Sequence, residues 1–126
     1  MLMPTLPTRE APMLAASDIV LRGGSMAWDS TLAATELCFR KYGVHGISVG
    51  CGAGLAFEEV YQWDRIQRYP QSRAATVESV LELGCSLIPT FDAPHYTLDL
   101  GRPLDEALWE SLLDVFARTV QRPSGE

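Results

Sequence analysis

The sequence predicts a single α/β (α+β) domain: a mixed sheet of about five strands with helices covering it, in the order βαβαβαββα. Three observations carry that expectation. The chain has 126 residues, 47% of them hydrophobic and 21% charged, which suits one core and argues against extended disorder. Short apolar runs ending in glycine alternate with stretches that open on a capping residue and close on glycine or proline. His95 to Leu100 alternates strictly, with Tyr96, Leu98 and Leu100 on one side and His95, Thr97 and Asp99 on the other.

Taken in order, residues 1–16 carry three prolines and little periodicity, so they read as a flexible arm before a domain spanning 17–121. Asp18 to Arg22 is a short strand closed by Gly23-Gly24. Asp29 or Ser30 caps a helix running to about Tyr42, and Gly43 stops it. His45 to Cys51 is a strand ending in a glycine turn. A second helix is expected from Ala56 to Arg68, burying Phe57, Val60 and Tyr61, with Trp63 a further candidate; Pro70 follows it. Arg73 to Ala75 reads as a short strand, after which Thr76 caps a helix that buries Val77, Val80 and Leu81 and stops at Gly84. Ser86 to Pro89 and His95 to Leu100 form an antiparallel pair. The last helix, Leu104 to about Thr119, sets Leu104, Leu108, Leu112, Val115 and Phe116 on one face, and residues 122–126 should fray.

Charge and composition narrow the function. A net charge of −6 lacks the broad positive field of a non-specific nucleic-acid binder, leaving only a local basic patch for such a partner. No apolar run approaches the roughly 20 residues of a membrane span, and Arg9 and Glu10 interrupt the opening segment, which therefore makes a poor signal peptide. Cys38, Cys51 and Cys85 are odd in number and widely spaced, and read as reduced thiols of a cytoplasmic protein. The two histidines are far apart in sequence and no ordered carboxylate pair accompanies them, so neither a metal nor a cofactor is expected.

Three groups of residues carry candidate chemistry. The run Gly50-Cys51-Gly52-Ala53-Gly54, between a strand and a helix, resembles the first motif of class I S-adenosylmethionine-dependent methyltransferases over about ten residues. That resemblance implies that Gly50, Gly52 and Gly54 approach the amino-acid part of the cofactor. Ser48 stands where the family usually has an acidic residue, and the region from Tyr69 to Thr76 lacks the acid that would bind a ribose.

His95-Tyr96-Thr97-Leu98 resembles one half of the signature of the two-histidine phosphoesterases. It implies His95 as general acid or base and Thr97 as a phosphate-holding hydroxyl. Arg22, at a strand end, is the candidate cation for the phosphate. The other histidine, His45, is followed by its hydroxyl three residues on rather than two, and shares parity with Ile47, Val49 and Cys51 on an apolar face. On the ordinary reading, the polar side of the His95 strand is a solvated outer face.

The third group is Trp63, Arg65 and Arg68, to which Trp109 on the last helix is added. Aromatic and basic residues together suit a partner surface. The first expectation is therefore a small non-enzymatic interaction module that binds a protein partner or forms a homodimer. A metal-independent phosphodiesterase or ribonuclease of the toxin kind, using His95, Thr97 and Arg22, comes second. A nucleotide or S-adenosylmethionine binder comes third.

Overall fold

The computed structural model describes residues 5–121, so the expected frayed tail, 122–126, lies outside the described residues. The fold is a single α+β domain, as the sequence predicts. Its elements are β1 (Ile19–Gly23), α1 (Trp28–Tyr42), β2 (Gly46–Gly50), α2 (Phe57–Tyr61), α3 (Asp64–Gln67), β3 (Gln71–Thr76), α4 (Val77–Glu82), β4 (Ser86–Pro89), β5 (His95–Asp99), α5 (Glu106–Val115) and β6 (Arg118–Gln121). The strands form one six-stranded sheet in the order β4-β5-β2-β1-β3-β6.

Every neighbouring pair is antiparallel, where a mixed sheet of about five strands was expected. The difference arises at α1: the chain leaves β1, runs along the helix, turns at Gly43 and re-enters the sheet from the end at which it left. Gly43 adopts the left-handed conformation (φ 75°), and its N–H bonds the carbonyl of Phe39, the stop its position predicts. Asp29 and Ser30 do not cap the helix; it begins at Trp28 after Ala27, and both lie within its first turn. Thr76 caps α4 as expected, in a reciprocal pair with Ser79. Leu81, expected in the core, is exposed.

The predicted helix 56–68 is broken in two at Trp63, whose backbone is extended (ψ 127°). The last helix stops at Val115, and the chain turns into β6, where an unbroken helix to Thr119 was expected. Thr119 and Val120 are β-branched, and β6 supplies partners for the otherwise open edge of β3, with Ser72 opposite Val120.

Adjacent strand residues point to opposite faces, and both faces are covered. Val20, Val49, Tyr96 and Leu98 join Val80 of α4 and Leu108 and Leu112 of α5 in the main core. Leu21 and Ala74, on the other face, pack against Val60 of α2 and Ile66 of α3. Residues 5–16, expected as a loose arm, are tied down: Leu6 is buried, Thr8 bridges Thr90, and the Arg9 and Phe91 amides bond Pro89 and Pro7.

A candidate active-site cleft

The second face has a polar centre. In the β2–β5 register, Ser48 lies opposite Thr97 and Gly50 opposite His95, so these groups share the side away from the main core. Gly46 and Gly50 flank Ser48 and leave room for what covers it. A Cβ at Gly46 would come within 2.6 Å of Thr97 Cγ2, and one at Gly50 within 2.9 Å of Trp63 Cε3. The break between α2 and α3 brings Trp63 over this glycine, edge-on to the His95 ring at 5.6 Å, while Phe91 meets the ring at 4.9 Å.

The expected solvated face is therefore wrong for two of its three residues. His95 is 2% exposed and Thr97 3%; Asp99, at the strand end, is partly exposed. Buried polar groups need partners, and these have them. Thr90 Oγ1 lies 2.7 Å from His95 Nδ1 and 2.9 Å from Thr97 Oγ1, and Ser48 Oγ lies 3.0 Å from His95 Nε2. The Arg9 guanidinium donates to the His95 carbonyl at 2.8 Å and lies over the Tyr96 ring.

Burial, helped by the nearby Arg65 and Arg9 cations, pulls the His95 pKa down to about 4, with a Thr90 backbone hydrogen bond opposing. The imidazole is neutral at pH 7 and carries one proton. With that proton on Nδ1, facing Thr90 Oγ1, the Nε2 lone pair is free to accept from the Ser48 hydroxyl.

A cleft of about 370 Å³ opens between α1 and this polar centre, lined by Arg22, Lys41, Ser48, Arg65, His95 and Thr97 among others. A smaller one of about 100 Å³ adjoins it, sharing Arg22, Ser48 and Arg65 and adding Arg68 and Trp63. Among the described residues, neither wall contains an aspartate or glutamate. Arg22 donates to the Ser48 carbonyl at 2.9 Å, but its buried Nε has no acceptor among the described residues. Burial lowers the Arg22 pKa, Tyr69 opposes, and Arg65 adds to the lowering. Arg65 thus acts on both Arg22 and His95. The cleft gathers cations.

Comparison with protein families, with curated proteins and with solved structures returns no match.

Most residues singled out by sequence meet here, though from different groups. His95, Thr97 and Arg22 line the same cleft. Trp63, Arg65 and Arg68, read as a partner surface, line the same pair of cavities. Trp109 lies apart and is used internally: it packs edge-on against Trp28 at 5.7 Å and donates its indole N–H to the Met26 carbonyl. His45 does not pair with His95. It precedes β2, stacks on Phe39 and bonds the Leu100 amide, at the opposite end of the β2–β5 pair.

The glycine turn is divided between roles. Gly50 makes space for Trp63, and a Cβ at Gly52 would strike the Leu55 side chain. Gly54 has φ +70°, and its amide donates to Asp18 Oδ1 at 3.1 Å. The second Asp18 oxygen accepts from the Ala15 amide, so the anion held beside this turn is the chain's own carboxylate.

Three site residues escaped the sequence reading. Ser48 stands out in the sequence only as a departure from two family patterns, and Thr90 and Phe91, between two strands, belong to no motif. Parity within the His45–Cys51 strand placed Ser48 away from the apolar side, the one signal pointing to it. Among the described residues no cluster of three or more histidine, cysteine or carboxylate side chains is placed to hold a metal ion.

Proposed function

We propose that the protein binds a phosphate ester in the α1–sheet cleft and hydrolyses it without a metal ion, with His95 as the proton-transferring group. One observation carries this reading: in a chain of net charge −6, Arg22, Arg65 and Lys41 line one cleft with no carboxylate beside them among the described residues. An uncompensated buried guanidinium is costly to maintain, and a bound oxyanion supplies the missing counter-charge. His95 and Thr97 stand beside it, as in the half-signature they resemble. The paired-histidine version of the mechanism is not carried forward, because His45 lies at the far end of the strand pair.

Inorganic phosphate and mononucleotides should raise the melting temperature in a concentration-dependent way, since a ligand of the native state must stabilise it. Arg22→Met should abolish that rise while preserving the fold. Wild-type protein should cleave a 2′,3′-cyclic nucleotide or RNA, and His95→Ala should lose the typical general-base contribution of about 10²–10⁴-fold. No melting shift with any phosphate would end this reading.

A second reading, the interaction module, rests on Leu37 and Phe39 of α1, which are 58% and 44% exposed; Leu37 also lines the cleft. It requires a dimer or a partner over that helix. Light scattering at high concentration that gives a monomer near 13.9 kDa would remove the homodimer form.

A further inference from the structure

We propose that Ser48 is a nucleophile activated by His95, so that phosphoryl transfer passes through a covalent seryl intermediate; this deepens the phosphate-ester reading above. The geometry is that of a nucleophile, a base and a group that orients the base. Ser48 Oγ sits 3.0 Å from His95 Nε2, and Thr90 Oγ1 sits 2.7 Å from Nδ1 on the other side of the ring. Thr90 and His95 are sealed from solvent, whereas Ser48 is only partly buried and lines both cavities. Of the three, Ser48 is the most exposed, and its hydroxyl and the edge of the His95 ring border the cleft.

The relay is held from every side. Thr97 bonds Thr90, Trp63 and Phe91 wall the ring, and Arg9 grips the His95 carbonyl. Arg22 bonds the Ser48 carbonyl, so a cation is anchored within one residue of the reacting oxygen. Gly46 and Gly50, on either side of Ser48, let Thr97 and Trp63 pack close against the strand and fix the groups around the hydroxyl. Charge developing on the phosphoryl oxygens would face Arg22 and Arg65.

In the first step Ser48 Oγ bonds to phosphorus and the bond to the leaving oxygen breaks. The hydroxyl proton passes to His95 Nε2 and then to the departing alkoxide. In the second step water attacks phosphorus, His95 Nε2 takes its proton, and Ser48 Oγ leaves and recovers that proton. No oxidant or other co-reactant is needed.

A small alkyl fluorophosphonate tests the first step independently of the natural substrate. Attack forms the Ser48 Oγ–P bond, fluoride departs and the proton goes to His95 Nε2. Intact mass and peptide mapping should show one adduct, on Ser48, with labelling slower at pH 4 than at pH 7. Labelling should fall at least 100-fold in Ser48→Ala and in His95→Gln, each checked for native melting. No adduct on Ser48 in wild-type protein, or equal labelling in folded His95→Gln, overturns the proposal. If phosphate still raises the melting temperature in that case, the binding reading stands without the nucleophile; labelling without any phosphate shift keeps the nucleophile and removes the phosphate-ester reading.

Discussion

At the scale of single residues, His95 combines a place on the cleft wall with the burial of a core residue. Its folded-state pKa, about 4, lies below the ordinary value of 6.5. Between those values the unfolded chain binds the proton and the native state refuses it, so the unfolded state is favoured as pH falls through that window. Melting temperature should therefore be flat above about pH 6.5 and decline towards pH 4, and His95→Gln should flatten the decline. A wild-type profile that is level from pH 7 to pH 4 would show that burial and the Arg65 and Arg9 cations do not hold the ring neutral. The same residue shows where sequence reasoning stops. Strict alternation located the strand and separated its two sides correctly, because alternation is a property of the strand itself. It carried no information about what lies over each side. The polar side is covered by Trp63, distant in sequence, and by Phe91 from the connection that precedes the strand.

At the scale of elements, the boundaries written in local chemistry were legible: Gly43 after α1, Thr76 before α4, and the pair β4 and β5. Boundaries set by tertiary demand were not. β6 exists because β3 would otherwise be an open edge, and the helix 56–68 breaks because Trp63 is drawn over Gly50. The glycine turn illustrates the ambiguity, since three glycines read equally as a cofactor motif and as places where something packs closely. Gly50 is of the second kind. A Cβ there would lie 2.9 Å from Trp63 and 3.1 Å from Val60, so Gly50→Ala should overpack this layer and cost about 1–3 kcal/mol by denaturant unfolding. It should also displace Trp63 from His95, visible as a change in tryptophan fluorescence. Gly54→Ala would meet no clash but would strain a left-handed residue, so it should destabilise without altering that fluorescence. Identical spectra for the two variants would refute the division of roles.

At the scale of the whole molecule, charge is distributed against its own average. The chain carries 16 acidic and 10 basic residues, yet Arg22, Lys41, Arg65 and Arg68 line two adjoining cavities that have no acid among the described residues. An acidic exterior around a basic cleft repels most anions at long range and rewards those that enter, so selectivity comes from the short-range field. The cations are not equivalent. Lys41, Arg65 and Arg68 are exposed and open to screening, whereas Arg22 is partly buried and its Nε is sealed from solvent. Salt should thus weaken phosphate binding only in part: raising ionic strength from about 0.05 to 0.5 M shortens the Debye length from roughly 14 to 4 Å, which removes the exposed contribution and spares the inner one. We expect a several-fold loss of affinity by calorimetry in wild-type protein. Arg65→Gln should bind more weakly at low salt and show a flatter salt dependence, because the screened charge is gone. Arg22→Met should fail to bind at either salt concentration, having lost the charge that solvent ions cannot replace. An Arg65→Gln variant with undiminished salt dependence, or an Arg22→Met variant that binds like wild type at low salt, would mean that the anion is held outside this cleft, by the general surface rather than by the inner guanidinium.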